Sequence, residues 1–188
     1  MPVGLARYVG WAALLSVAAT LATVVTGFLF FVRDKRFGLW SDAASAVQMA
    51  AMLPLPVGFY AATTLDRSAL AAGVAAAGIG GMLIAGSLQF LIVLRVASFE
   101  RTIPSVLAAG GAIGVWLVLA NYLALAQGLL SAPLASAGTV AGAGYILVSI
   151  AFYVGDEHHP LTHMGGLAAC VGYGIWAFGV ARLALAAQ

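Results

Sequence analysis

The sequence predicts an all-α polytopic membrane protein: a compact bundle of six transmembrane helices with short loops, forming one domain over residues 1–188. Three observations carry this. Of the 188 residues 63% are hydrophobic and only 7% charged, whereas soluble domains carry about a quarter charged residues. So few charges cannot coat a surface in water, which excludes a soluble globular domain, a disordered chain and a nucleic-acid binder; the mean hydropathy of +1.07 agrees. The charge-free intervals Tyr8 to Val32, Ala43 to Leu65, Ser68 to Leu94, Thr102 to Gly155 and His158 to Ala181 match the roughly 20 apolar residues that a helix needs to cross hydrocarbon. The fourth is double length, and Gly128-Leu-Leu-Ser-Ala-Pro133 marks a turn near its middle.

Six spans follow, at about 8–32, 43–64, 68–96, 102–127, 133–154 and 162–182. Barrel strands alternate apolar and polar residues, but Val74-Ala-Ala-Ala-Gly-Ile-Gly-Gly-Met-Leu-Ile is apolar on every face. Loops this short make consecutive helices antiparallel neighbours. The first apolar run far exceeds the 7–15-residue core of a signal peptide and is expected as a retained helix. The single Cys170 excludes an internal disulfide. Six spans put both termini on one side with Arg7, Arg67 and Arg182, opposite Arg33, Lys35, Arg36, Arg95 and Arg101. Positive residues favour the cytoplasm, so this count of five to three places loops 1–2, 3–4 and 5–6 inside. Tyr8 and Trp11 at one end and Trp40 at the other suit interfacial anchors.

In the first span, Ser16, Thr20, Thr23 and Gly27 share a stripe. Hydroxyls and small residues let helices approach and bond, so the stripe is expected as helix contact in preference to a polar lining. The second span holds Pro54 and Pro56. Each removes a backbone donor, so a sharp kink is expected, with the Ala50 and Met52 carbonyls left without helical donors. Broken helices at mid-membrane bind ions and substrates in transporters, although a plain kink satisfied by neighbours is the more ordinary outcome. Gln48 of the second span and Gln89 of the third fall at one depth on adjacent helices. A mutual amide bond is expected ahead of a shared pocket.

Ala77-x-x-x-Gly81-x-x-x-Ala85, Gly110-x-x-x-Gly114 and Gly138-x-x-x-Gly142 are small-residue surfaces for close helix approach. They support a tight bundle or a homo-oligomer without deciding between them. Asn121, with Tyr122 and Gln127, lies toward the terminal side of the fourth span, where a buried amide seeks partners. No Asp, Glu, Lys or Arg occupies the middle third of any span, which counts against an ion-coupled carrier.

The densest set of chemical groups is Asp156-Glu-His-His-Pro-Leu-Thr-His163, which contains all three histidines. Pro160 suits the first position of the sixth helix, leaving His159 near its N-cap and His163 one turn on. Asp156, Glu157, His158, His159 and His163 are candidate ligands for Zn²⁺ or a similar metal, and a neutral histidine can also hold haem. His163, Gly166, Cys170 and Gly174 extend the stripe into the membrane. Against this, no His-Glu-x-x-His spacing occurs, and a solvated interfacial loop is the expectation. No Gly-x-Ser-x-Gly elbow, P-loop or intramembrane acid pair offers catalysis, so no catalytic residue is assigned.

Arg7-Tyr-Val-Gly10 opening the first helix, and Gly172-Tyr-x-x-Trp176-x-x-Gly179-x-x-Arg182 closing the last, resemble small bacterial six-span membrane proteins of unknown function. The resemblance implies a bacterial cytoplasmic-membrane location and no particular activity. The expected function is therefore non-enzymatic: a helical bundle in the lipid bilayer that binds a lipophilic small molecule or a partner membrane subunit, with Gln48, Pro54, Gln89 and Asn121 as pocket candidates. The rivals are a metal or haem protein built on His158, His159 and His163, and a small uniporter or channel using the broken second helix.

Overall fold

Segments that are apolar on every face must satisfy their backbone groups internally in lipid. In the computed structural model, which describes residues 2–63, 69–155 and 159–186, they do so as seven helices. These are α1 (Val3–Val32), α2 (Phe37–Met52), α3 (Pro54–Ala62), α4 (Ala69–Val93), α5 (Phe99–Ala126), α6 (Ala132–Gly155) and α7 (Pro160–Ala186). Helices α2 and α3 together form one span, so six spans are long and apolar enough to cross a membrane. Helices start before the charge-free intervals at Phe37 and Phe99. A charged residue ends an apolar span without ending a helix, and Glu100 sits in the first turn of α5, where the helix dipole favours an acid.

The spans close into a ring in which α1, α2, α4, α5, α6 and α7 each lie beside the next, and α7 returns to α1. Short α3 touches α1, α4 and α5. The Gly10 backbone of α1 sits against Leu185 of α7, so both chain termini lie at one end. The opposite, basic end carries Arg33, Lys35, Arg36, Arg95 and Arg101. Tyr8, Trp11 and Trp40 are exposed, consistent with interfacial anchors.

Two turns are closed by backbone alone. After α5, Gly128 adopts φ 68°; its N–H bonds to the Leu125 carbonyl at 3.0 Å and that of Leu129 to the Ala124 carbonyl at 2.9 Å. This is the Schellman arrangement, and glycine suits it. After α4 the same arrangement recurs, with the Arg95 N–H on the Ile92 carbonyl at 2.9 Å and the Val96 N–H on the Leu91 carbonyl at 3.0 Å. There the left-handed residue is Arg95, at φ 58°, a conformation that costs a side-chain-bearing residue roughly 1–2 kcal/mol.

Close backbone approach builds the α4–α7 side of the ring. A methyl at Gly114 would stand 2.6 Å from the Gly142 carbonyl oxygen, and the reverse distance is also 2.6 Å. Gly81 meets the Ala109 carbonyl of α5, and Gly172 meets Ala137 and Ala141 of α6. The small-residue surfaces of the sequence are thus used within the chain, between its own helices. Around them sits an aromatic group: Trp116, Trp176 and Tyr173 are fully buried, and Phe59 of α3 lies 5.5 Å from Trp176 and 6.4 Å from Trp116.

Candidate functional site

Most polar side chains at mid-membrane are engaged, with one another or with backbone carbonyls. Ser16 Oγ donates to the Ala13 carbonyl at 2.8 Å and lies 2.6 Å from Tyr173 Oη. Because the serine has one proton, already used, the tyrosine is the donor across the α1–α7 contact. Thr20 donates to the Ser16 carbonyl at 2.8 Å, Ser41 to the Thr23 carbonyl at 3.3 Å, and Ser45 to Thr23 Oγ1 at 3.4 Å. The hydroxyl stripe of α1 is therefore helix contact. Asn121 is fully buried; its amide donates to the Leu117 carbonyl at 2.8 Å and its Oδ1 accepts the Trp176 indole N–H at 2.7 Å. Gly138 of α6 makes room for it by lying directly on the amide.

The expected Gln48–Gln89 bond does not form. Gln48 Nε2 donates to Tyr145 Oη of α6 at 3.4 Å and stands 3.9 Å from Met52 Sδ. Gln89 Oε1 is buried with no hydrogen-bond partner among the described residues. The reason is rotation: α2 meets Gly86 of α4 through Met49 and the Ala46 carbonyl. A helix turns about 100° per residue, so Gln48 points away from that seam toward the ring interior. Equal depth on adjacent helices is not enough to make a pair.

At the second-span break, Leu53 keeps helical torsions of φ −53° and ψ −38°. The ladder is interrupted, but the Ala50 carbonyl is not orphaned: it accepts from the Leu53 N–H, three residues on, at 3.3 Å. Met52, Pro54, Leu55 and Pro56 are buried around it. The break is thus embedded in packed side chains, which removes the support it lent to a transport route.

Of the histidine segment, Asp156, Glu157 and His158 lie outside the described residues. His159 is half-buried against Gly155, and its Nδ1 accepts the Leu161 N–H at 3.3 Å, so its imidazole caps α7 ahead of Pro160. His163 is exposed, and Gly166 and Gly174 face open space. Among the described residues, no three His, Cys, Asp or Glu groups stand together as metal ligands.

The site that sequence reasoning missed is where packing stops. Toward the basic end, α1 has no buried residue after Thr20, α2 none before Gln48 and α4 none after Ala85. Three concavities open in this corner. A groove of about 470 Å³ between α2 and α4 is lined by Ala43, Ala46, Ala50, Gly86 and Phe90 among others. A second of about 620 Å³ lies between α1 and α2, sharing Ala43 and Val47 with the first. Above them, a cleft of about 700 Å³ joins the α1–α2 and α4–α5 turns, with Phe30, Phe31 and Phe99 beside Lys35, Arg36, Arg95 and Asp42. Arg36 Nε bonds to Asp34 at 2.7 Å; the side chains of Lys35 and Arg95 have no ion pair or hydrogen bond among the described residues. The available signal was the run of alanines at 43, 46 and 50 on one α2 face, which is too small to fill a helix seam. Comparison with protein-family models, curated proteins and solved structures returns no match for this chain.

Proposed function

We propose that this six-span membrane protein is a non-enzymatic bundle that binds a lipophilic small molecule, taken up laterally from the bilayer into the α2–α4 groove. The observation that carries the reading is that groove. Its volume of about 470 Å³ falls within the roughly 300–1,000 Å³ of small-molecule sites. Its walls are alanine, glycine, valine, leucine, methionine and phenylalanine, with the Ser87 hydroxyl as its one side-chain polar group. Such a lining recognises hydrocarbon by shape. Ser16, Gln48, Asn121 and Tyr173 are engaged in helix contacts elsewhere in the ring, so they are not free to line a binding site. The charge count, five basic residues against three, supports a cytoplasmic location for the basic end; the resemblance stated above supports a bacterial inner membrane.

A neutral 16-carbon alcohol bearing a diazirine, photoactivated with the protein in phosphatidylcholine vesicles, tests the reading. Label is expected on peptides covering 43–53 and 82–93, with a marked loss in Ala50→Phe, whose ring would fill the groove. Uniform labelling of all lipid-facing helices, or no loss in Ala50→Phe, overturns it.

A further inference from the structure

We infer that the occupant of this corner is an anionic phospholipid, its phosphate held by Lys35 and Arg95 in the basic-end cleft and one acyl chain laid in the α2–α4 groove. The inference rests on the proposed groove reading and adds the head group to it.

The first argument is continuity. Asp42 and Leu39 of the cleft are one turn before Ala46 and Ala43 of the groove, and Val93 of the groove is two residues before Arg95 of the cleft. A molecule with its tail in the groove therefore brings its polar end into the cleft, at the depth of the membrane surface. The second is charge. Three cations and a single acid, Asp42, line the cleft. Among the described residues, the side chains of Lys35 and Arg95 have no ion pair or hydrogen bond. Phe30, Phe31 and Phe99 set apolar surface beside these cations, as a lipid at the membrane surface requires of its site. Basic pockets between spans on the cytoplasmic side bind anionic head groups in this manner, and the positive-inside count puts this end there.

The third argument is strain. Arg95 stands at φ 58° in the capping position that glycine fills after α5. This chain contains 23 glycines, yet spends an unfavourable conformation on an arginine there. A cation with no ion pair among the described residues, held in a strained backbone and lining a cleft, points from the outlier to a role in binding.

Phosphatidylglycerol and phosphatidylcholine carrying the same diazirine acyl chain, each diluted into unlabelled phosphatidylcholine vesicles with the protein, provide the test. Phosphatidylglycerol should label the groove several-fold more. Arg95→Gly and Lys35→Gln should each cut that preference about fivefold, as should raised salt. Arg182→Gln, at the opposite end, should leave it intact. Arg95→Gly should also resist unfolding better than wild type, because glycine relieves the left-handed residue. Equal labelling by the two lipids, while the neutral alcohol still maps to the groove, overturns the head-group assignment alone. Absence of groove labelling by every probe overturns both readings. Loss of preference in Arg182→Gln shows a diffuse charge effect, and competition by millimolar inorganic phosphate shows a free-anion site; either result overturns the lipid assignment.

Discussion

Tyrosine and tryptophan ordinarily mark the membrane surface, yet Tyr145, Tyr173, Trp116 and Trp176 lie well inside their spans. Their displacement from the interface was visible in the sequence; their partners were not. Ser16 and Tyr173 are 157 residues apart and bonded at 2.6 Å. Interhelical bonds in membranes average about 0.6 kcal/mol and reach about 1.7. Tyr173→Phe and Ser16→Ala should therefore each destabilise, and the double variant should cost less than the sum by about that coupling, read by unfolding in mixed detergent. Asn121→Ala strands the buried Trp176 N–H and should cost about 1–3 kcal/mol; a neutral result would show that water or another group replaces the amide. Gln48 and Gln89 have separate surroundings, so Gln48→Leu and Gln89→Leu should be additive. A coupling above about 0.5 kcal/mol would restore the pair the structure separates.

At the level of elements, the two prolines and the small-residue surfaces had legible positions but consequences set by packing. Pro54 and Pro56 do divide the second span, but the freed Ala50 carbonyl is reclaimed by Leu53 at 3.3 Å, a local adjustment common in membrane helices. Joint Pro54→Ala and Pro56→Ala replacement restores two donors and should slow amide exchange over residues 50–58; unchanged exchange would mean that the surrounding packing alone controls this segment. The glycine surfaces are specific in the same way. Gly114→Val drives a side chain into the Gly142 carbonyl and should cost about 1–3 kcal/mol or more. Gly174→Ala, with open space at its Cβ, should be neutral or slightly stabilising. Equal effects at the two sites would contradict the α5–α6 contact.

Across the whole molecule, an even number of spans and closure of α7 on α1 bring both chain ends to one face, opposite the basic turns. In a Cys170→Ala background, cysteines at Gly4 and Ser131 should label from one side of the membrane, and cysteines at Lys35 and Ser98 from the other. Any other grouping refutes the topology. The same ring has an uneven interior. Its α5–α6–α7 side is backbone-to-backbone, whereas the basic-end corner of α1, α2 and α4 is left unfilled, so ligand binding is proposed where the helices were never drawn together.

The sequence by itself determined the class, the number of spans, their approximate limits and the shared side of the termini. Those depend on hydrocarbon thickness and on the cost of charge within it, and both act on composition along the chain. It also located the α5–α6 turn, the helix start at Pro160 and the interruption near Pro54, because proline and glycine act through local backbone geometry. Only the tertiary structure decided that Gln48 meets Tyr145 and not Gln89, that Asn121 serves Trp176, and that the small-residue surfaces join helices of one chain. Each outcome depends on how a helix is rotated about its axis in the assembled ring. That rotation is selected by packing against several neighbours at once, and no single span with a nearly uniform apolar surface encodes it.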